Sequence, residues 1–249
     1  RASFAFYNTI KLVLKEKEYK IKCMNALVIN AAGKGTRVGM NIPKQFIDIN
    51  GHPIVYLTVE KFVRLRLFNI IVIVTLPEYI PILRKLFPFS YIKIIEGGYS
   101  CLRSRIAGLE YIMTYYPSIE KIMFHDSVRP FFTSNLITRC LSSCDSNNSA
   151  VVPYIPTVST LKDLSSLHVP GVRTEPIAIL QTPETFMLRS LYNIITKIKN
   201  IDNYQTLPDL YEHNGNKCLY ISGELMNFKI TSPDDLELAK FLFNGKLKY

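Results

Sequence analysis

Short apolar runs alternate with amphipathic stretches along most of this chain, and the alternation predicts its fold. Ala26–Ile29, Ile70–Thr75, Tyr91–Ile95, Lys121–Phe124 and Ala150–Tyr154 are short, mostly apolar and rich in β-branched residues, and read as buried strands. Between them, Pro53–Leu65, Pro77–Phe87, Leu102–Tyr115 and Asn135–Cys144 carry apolar residues at helical spacing. In the first of these, Ile54, Leu57, Phe62 and Leu65 fall on one face. Repeated strand–helix alternation implies right-handed crossovers and a mostly parallel sheet flanked by helices, an α/β fold. Sites in such sheets lie beyond the carboxyl ends of the strands.

The rhythm breaks at Ile155–Arg173, which is rich in Thr, Ser and Pro and reads as an arm protruding from the sheet, about residues 155–175. A helix is expected over Glu184–Lys197 and a strand over Lys217–Ser222. Ser232-Pro233-Asp234-Asp235 starts a further helix, 233–243, with a serine cap, proline in the first turn and two acids at the positive dipole end. No internal repeat or linker divides residues 24–249, which read as one domain. Residues 1–23 read as an N-terminal extension, with Met24 as the functional start. Deleting 1–23 is expected to leave activity intact.

The stretch most suggestive of chemistry is Asn25–Phe46, NALVINAAGKGTRVGMNIPKQF. Its strand runs into a small-residue turn, Ala31-Ala32-Gly33-Lys34-Gly35-Thr36-Arg37. Small residues let backbone N–H groups approach an anion, and glycine tolerates the positive φ such a turn needs. Lys34, Arg37 and Lys44 add positive charge, so the stretch reads as a triphosphate cradle. The G-x-x-x-x-G-K-[ST] spacing of a P-loop is absent, and Gly39 falls one residue late for G-x-G-x-x-G. An ordinary strand–helix turn is the alternative reading.

Composition narrows the classes. Hydrophobic residues make up 48% of the 249, enough for a real core. No apolar run reaches the ~18 residues that span a bilayer, so no membrane partner is expected. The five cysteines form no C-x-x-C pair and no Cys/His zinc spacing, which suits reduced thiols in a cytoplasmic protein. Cys140 and Cys144, four apart, suit core packing. A net charge of +10 favours anionic partners. The cations are scattered and no nucleic-acid motif is present, so a small anionic substrate is expected rather than DNA or RNA.

A-A-G-x-G-x-R followed by P-K-Q resembles the signature of nucleotidyltransferases that activate sugar and sugar-alcohol phosphates. Pro43-Lys44-Gln45-Phe46 resembles one branch, the cytidylyltransferases acting on 2-C-methyl-D-erythritol 4-phosphate or ribitol 5-phosphate. Further motifs follow in the family's order. Gly97, Gly98, Ser104, Gly108 and Leu109 match G-G-x-x-R-x-x-S-V-x-x-G-L, with Cys101 in place of the family's Arg and Arg105 in place of its Val. His125–Phe131 resembles H-D-A-x-R-P-F. Val152-Pro153 to Thr157 resembles V-P-x-x-D-T with Pro156 for Asp, and Gln181–Phe186 resembles Q-T-P-Q-x-F. Glu212 and Gly215 keep the register of a degraded T-D-D/E-A-x-x-x-E motif, and Asn227–Leu236 matches N-x-K-I-T-x-P-x-D-L.

The resemblance implies a Rossmann-like nucleotidyltransferase fold and transfer of CMP from CTP to a polyol phosphate. Methylerythritol phosphate is the favoured acceptor and ribitol 5-phosphate the alternative. It implies catalytic Arg37, Lys44 and Lys229, the last at a strand end. Nucleotide contacts would come from Ala31, Ala32, Gly33, Gly35, Gly97, Gly98 and Ser104. Acceptor contacts would come from Asp126, Arg129, Thr157 and Arg173, with Thr157 and Arg173 reaching a neighbouring subunit's site in a homodimer. Mg²⁺ would sit near Asp126. Arg129 either orients the acceptor or braces Asp126, and His125 is expected to pack or hydrogen-bond rather than ligate. Cys101 and Pro156 keep open a catalytically silent relative that binds nucleotide as a sensor.

Overall fold

A computed structural model describes residues 24–33, 42–157, 159–162 and 177–245. The N-terminal extension, Lys34, Gly35, Arg37 and Arg173, and most of the expected arm, lie outside them. One sheet organises these residues. Its strands are β1 (Asn25–Ala31), β4 (Ile70–Thr75), β5 (Ile92–Glu96), β6 (Lys121–Asp126), β7 (Ala150–Pro156), β8 (Ala178–Leu180), β9 (Glu184–Met187) and β10 (Leu219–Ser222). Their order is β10-β7-β9-β6-β1-β4-β5, with β8 also paired to β7. The strands β1, β4, β5 and β6 are mutually parallel, β10 is parallel to β7, and β9 runs antiparallel to both β6 and β7. Two short strands, β2 (Asp48–Ile49) and β3 (His52–Pro53), form a separate hairpin.

The helices are α1 (Ile54–Leu65), α2 (Ile80–Leu86), α3 (Cys101–Tyr115), α4 (Ser134–Ser143), α5 (Leu188–Ile195), α6 (Leu207–His213) and α7 (Pro233–Asn244). They cover both faces of the sheet, which is why its central strands are continuous apolar runs rather than alternating ones. Period-2 geometry sends Ala26 and Val28 to one side, where Leu102, Ile106, Leu109 and Ile112 of α3 bury them. Leu27 and Ile29 point the other way, into Val55, Val59 and Phe62 of α1 and Leu136 and Ile137 of α4. Fully burying each such side chain is worth about 1.5–3 kcal/mol. Cys140 and Cys144 are buried as free thiols, as their spacing suggested.

A third cluster fixes the site's geometry. Ile47, Ile49, Ile54, Val128, Phe131, Ile230, Leu236 and Ala239 pack the hairpin and α7 against the segment after β6. The start of α7 carries a full capping box: Asp235 N–H donates to Ser232 Oγ, and Ser232 N–H donates back to Asp235 Oδ2. Burial works to raise the Asp235 carboxyl. The Ser232 and Thr231 amides, with Lys44 nearby, hold it below the usual carboxylate range.

The structure corrects three expectations. Glu184–Met187 is a strand, not the first turn of a helix. Thr185 and Phe186 are fully buried and hydrogen-bonded between β6 and β7, and sheet closure overrides the helical pattern that starts only at Leu188. Helix α6 was not foreseen, although Thr206 caps it by accepting from Asp209 N–H, with Pro208 in the first turn. Lys229 lies in a coil segment rather than at a strand end. Among described residues 226–231 no strand is formed, and Ile230 N–H donates to Val128 O to hold the segment in place.

Candidate active site

The strand ends and the segment before α7 enclose a cleft of about 390 Å³. Its lining includes Ala32, Gly33, Lys44, Gly98, Ser104, Asp126 and Lys229. These residues come from four stretches far apart in sequence. Gly33 follows β1, Gly98 follows β5 and Asp126 ends β6, so the site sits at the carboxyl ends of parallel strands.

One wall is the turn after β1. Gln45, buried in a short 3₁₀ turn (Lys44–Phe46), donates from Nε2 to Ala31 O at 2.7 Å and to Gly33 O at 2.8 Å. Those bonds fix the start of the turn and bring Lys44 onto the cleft. Ala31 itself is buried in β1 and does not line the cleft, whereas Ala32 and Gly33 do.

The opposite wall is the loop from β5 into α3. An added Cβ on Gly97 would stand 2.7 Å from Ala32 Cβ and 2.9 Å from Ser104 Oγ, so only glycine lets this loop close against the first turn. Ser104 Oγ donates to Ser100 O at 2.8 Å and lies 3.1 Å from Gly98 O, locking the loop onto the helix start. Cys101 opens α3, and Asn30 Nδ2 donates to its Sγ at 3.0 Å. Tyr99 and Ser100 complete this rim.

The floor is ionic. Asp126 Oδ2 lies 3.1 Å from both Arg129 Nε and Lys229 Nζ, and Oδ1 lies 3.4 Å from Arg105 Nη2. Arg105 Nη1 in turn pairs with Glu184 Oε2 at 2.7 Å. Burial alone would push the Asp126 carboxyl up. Lys229, Arg105 and Arg129 outweigh it and hold the group well below its ordinary range, so it is ionised. Burial pushes the Glu184 carboxyl up, against the pull of Arg105. Three cations on two carboxylates leave the floor with one positive charge in excess. Such a cleft suits a polyanion.

His125 is a fully buried scaffold. Asp126 N–H donates to Thr182 Oγ1 at 3.2 Å, Thr182 Oγ1 lies 3.2 Å from His125 Nδ1, and His125 Nε2 lies 2.9 Å from Arg129 O. Because Arg129 O can only accept, Nε2 carries the proton and Nδ1 accepts from the Thr182 hydroxyl. Burial lowers the imidazole to about 3, so it is neutral. Asn227 Nδ2 donates to Thr182 O at 2.7 Å, and Arg129 Nη1 donates to Asn227 O at 2.8 Å. These bonds tie the Gln181–Pro183 segment, the end of β6 and the Lys229 segment into one unit. Arg129 therefore braces Asp126 in this structure.

The structure thus brings Lys44, Asp126 and Lys229 together with Ala32, Gly33, Gly98 and Ser104. Thr157 stands apart, at the root of the arm, where its N–H donates to Ile177 O at 2.8 Å. Arg105, Glu184, Gln45 and Asn227 had no assigned role in the sequence reading. The available signal was an arginine in the apolar stripe of α3, which demands a partner. Among the described residues no three His, Cys, Asp or Glu side chains cluster as a ready-made metal site. No helix among them is long and apolar enough to cross a membrane.

Comparison with known proteins agrees with this architecture. The family model described as IspD, 2-C-methyl-D-erythritol 4-phosphate cytidylyltransferase, matches residues 25–245. A protein of that name from Clostridium botulinum (strain Langeland) is 30% identical over 222 residues, covering 87% of this chain and 96% of the relative. One from Lachnospira eligens is 30% identical over 236 residues, covering 89% and 100%. The crystal structure of 4-diphosphocytidyl-2C-methyl-D-erythritol synthase from Anaerococcus prevotii shares the fold, with a TM-score of 0.73 at 21% identity over 90% of this chain and 99% of that one. With its match running across the whole sheet and the cleft, this chain belongs to the 2-C-methyl-D-erythritol 4-phosphate cytidylyltransferase family.

Proposed function

We propose that this protein transfers CMP from CTP to 2-C-methyl-D-erythritol 4-phosphate, releasing pyrophosphate, a step of isoprenoid precursor synthesis. The observation that carries the reading is the gathering of Lys44, Asp126 and Lys229 on one cleft beside the Gly98–Ser104 loop. Cytosine would lie against that loop, where backbone and hydroxyl groups can read a pyrimidine edge.

The acceptor's phosphate oxygen attacks the α-phosphorus in line. The bond to the β-phosphate oxygen breaks, and pyrophosphate departs with the electron pair. A phosphate is already a nucleophile near neutral pH, so the protein needs no general base or covalent intermediate. Its work is positioning and neutralisation of growing negative charge. Lys44 and Arg37 hold the β- and γ-phosphates, and Lys229 grips the α-phosphate. Asp126 and Arg129 border the acceptor. Mg²⁺, when bound, neutralises phosphate charge. Asp126, the one carboxylate lining the cleft among described residues, suits an ion carried in on phosphate oxygens rather than one held by the protein alone.

A homodimer belongs to the same reading. Thr157 does not line its own cleft, and in this reading Thr157 and Arg173 would serve a neighbouring one. Exposed apolar Ile179 and Leu180 of β8 and Tyr220 of β10 flank β7 at the base of the arm and offer a surface to cover. The decisive experiment is pyrophosphate release with CTP and methylerythritol phosphate, with ribitol 5-phosphate as the competing acceptor. Turnover with the first and not the second is expected. Preference for ribitol 5-phosphate, or CTP binding without turnover of either, overturns the assignment.

A further inference from the structure

We propose that Arg105, held by Glu184, is a positioning residue that sets the orientation of the Asp126 carboxylate; its kinetic consequence rests on the function proposed above. The motifs this chain resembles have Val where Arg105 stands and Gln where Glu184 stands, so both departures introduce a charge. They are 79 residues apart in sequence and 2.7 Å apart in space. Both side chains are almost fully buried, at 6% exposure each. Glu184 without Arg105 would be an uncompensated buried ion, which folded proteins rarely tolerate, and Arg105 without Glu184 would keep only its longer contact to Asp126. Together they form a pair aimed at the end of β6.

The pair does more than neutralise itself. Glu184 takes Nη1 of Arg105, which leaves Nη2 pointing at Asp126 Oδ1, 3.4 Å away. Arg129 and Lys229 both engage Oδ2. The two oxygens of Asp126 are thereby given different partners, one inward and one toward the cleft. With Val at 105 and Gln at 184, Oδ1 has no cation, and the carboxylate is free to rotate about its terminal torsion toward Arg129 and Lys229. Arg105 therefore fixes which edge of Asp126 meets the acceptor.

The test is a charge-swap cycle: Arg105→Val, Glu184→Gln and the double variant, compared by melting temperature, by KM for each substrate and by kcat. Each single variant is expected to melt well below wild type, and the double variant to recover most of that loss, because no unpaired ion remains. The double variant is nevertheless expected to show KM for the acceptor raised about tenfold, with KM for CTP within twofold of wild type. Arg105→Lys, which keeps the charge but not the two-pronged reach, should fall between. Recovery of the acceptor KM to the wild-type value in the double variant would show that Arg105 serves only Glu184, and overturns the proposal. A crystal structure of the double variant decides independently of turnover: a rotated Asp126 carboxylate supports the proposal and an unmoved one overturns it. Absence of activity in the wild type would instead reject the assigned reaction.

Discussion

Replacing Lys229 with alanine separates catalysis from stability, because the structure assigns the two effects different sizes. The Lys229 side chain is 37% exposed, and its Nζ lies 3.1 Å from Asp126 Oδ2. The lysine end of this pair is open to solvent while Asp126 is buried, so the pair is worth about 1 kcal/mol, the upper end of the range for exposed pairs. Its loss does not strand Asp126, which keeps Arg129 at 3.1 Å and Arg105 at 3.4 Å. The local backbone is held independently, since Ile230 is fully buried and its N–H donates to Val128 O at 3.0 Å. Melting temperature should therefore fall by no more than about 2–4 °C. By contrast, a preorganised group that meets charge developing in the transition state is worth about 10²–10³ in kcat, roughly 3–4 kcal/mol. The kinetic term exceeds the structural one severalfold, so unfolding cannot imitate it. Pyrophosphate release measured at saturating CTP and acceptor, beside a thermal melt, gives both numbers on one preparation. Lys229→Arg, which retains the charge at a different reach, should recover part of the rate. Turnover of Lys229→Ala within about threefold of wild type would refute the role given to this lysine.

Other perturbations probe other parts. His125 has a native pKa of about 3 against an ordinary 6.5, so only the unfolded state takes up its proton as pH falls through 6.5. The stability from keeping it neutral is complete above 6.5 and is lost toward pH 3, by roughly 2–3 kcal/mol at pH 4.5. Denaturant melts across pH 7.5 to 4.5 should show that loss in wild type and a smaller one in His125→Gln, which keeps one donor and one acceptor but does not titrate. Gly108→Ala, which would help an ordinary exposed helix by about 1 kcal/mol, should instead destabilise by about 1–3 kcal/mol. The added Cβ would stand 2.5 Å from Val28 Cγ1 inside the sheet–helix interface, and a melt that rises would contradict this packing. Chelating divalent ions should abolish turnover, with Mg²⁺ restoring it, while leaving the melting temperature of the nucleotide-free protein unchanged. A chelator-induced drop in that temperature would reveal a metal held by the protein itself.

Much of this architecture was legible because its signals are local. Runs such as Ile70–Thr75 are short, β-branched and apolar up to the closing threonine, a pattern that suits a doubly covered parallel strand. Ser232-Pro233-Asp234-Asp235 carries its own cap, and the helix begins where that signal puts it. The cleft was legible for the same reason: Gly33 and Gly97 each follow a strand and Asp126 ends one. What stayed hidden was non-local. Glu184–Met187 looks helical by spacing, and only pairing on both sides with strands from elsewhere makes it a strand. Arg105 departs from its motif, and only the fold sets Glu184, 79 residues away, against it. The Thr206-x-Pro208 start of α6 is a local cap signal, but it stands inside a degraded motif whose register is kept only at Glu212 and Gly215.

The placement of β9 carries a consequence for how this chain reaches its native form. The strand wedged between β6 and β7 is made after both of them, beyond the whole excursion that follows residue 156. Until it emerges during synthesis, the growing polypeptide presents two unzipped borders, each a template for pairing with another molecule. Contacts so distant along the backbone form slowly. This protein should therefore lean on chaperones at birth, and C-terminal truncations that remove β9 should yield aggregates rather than a smaller working domain.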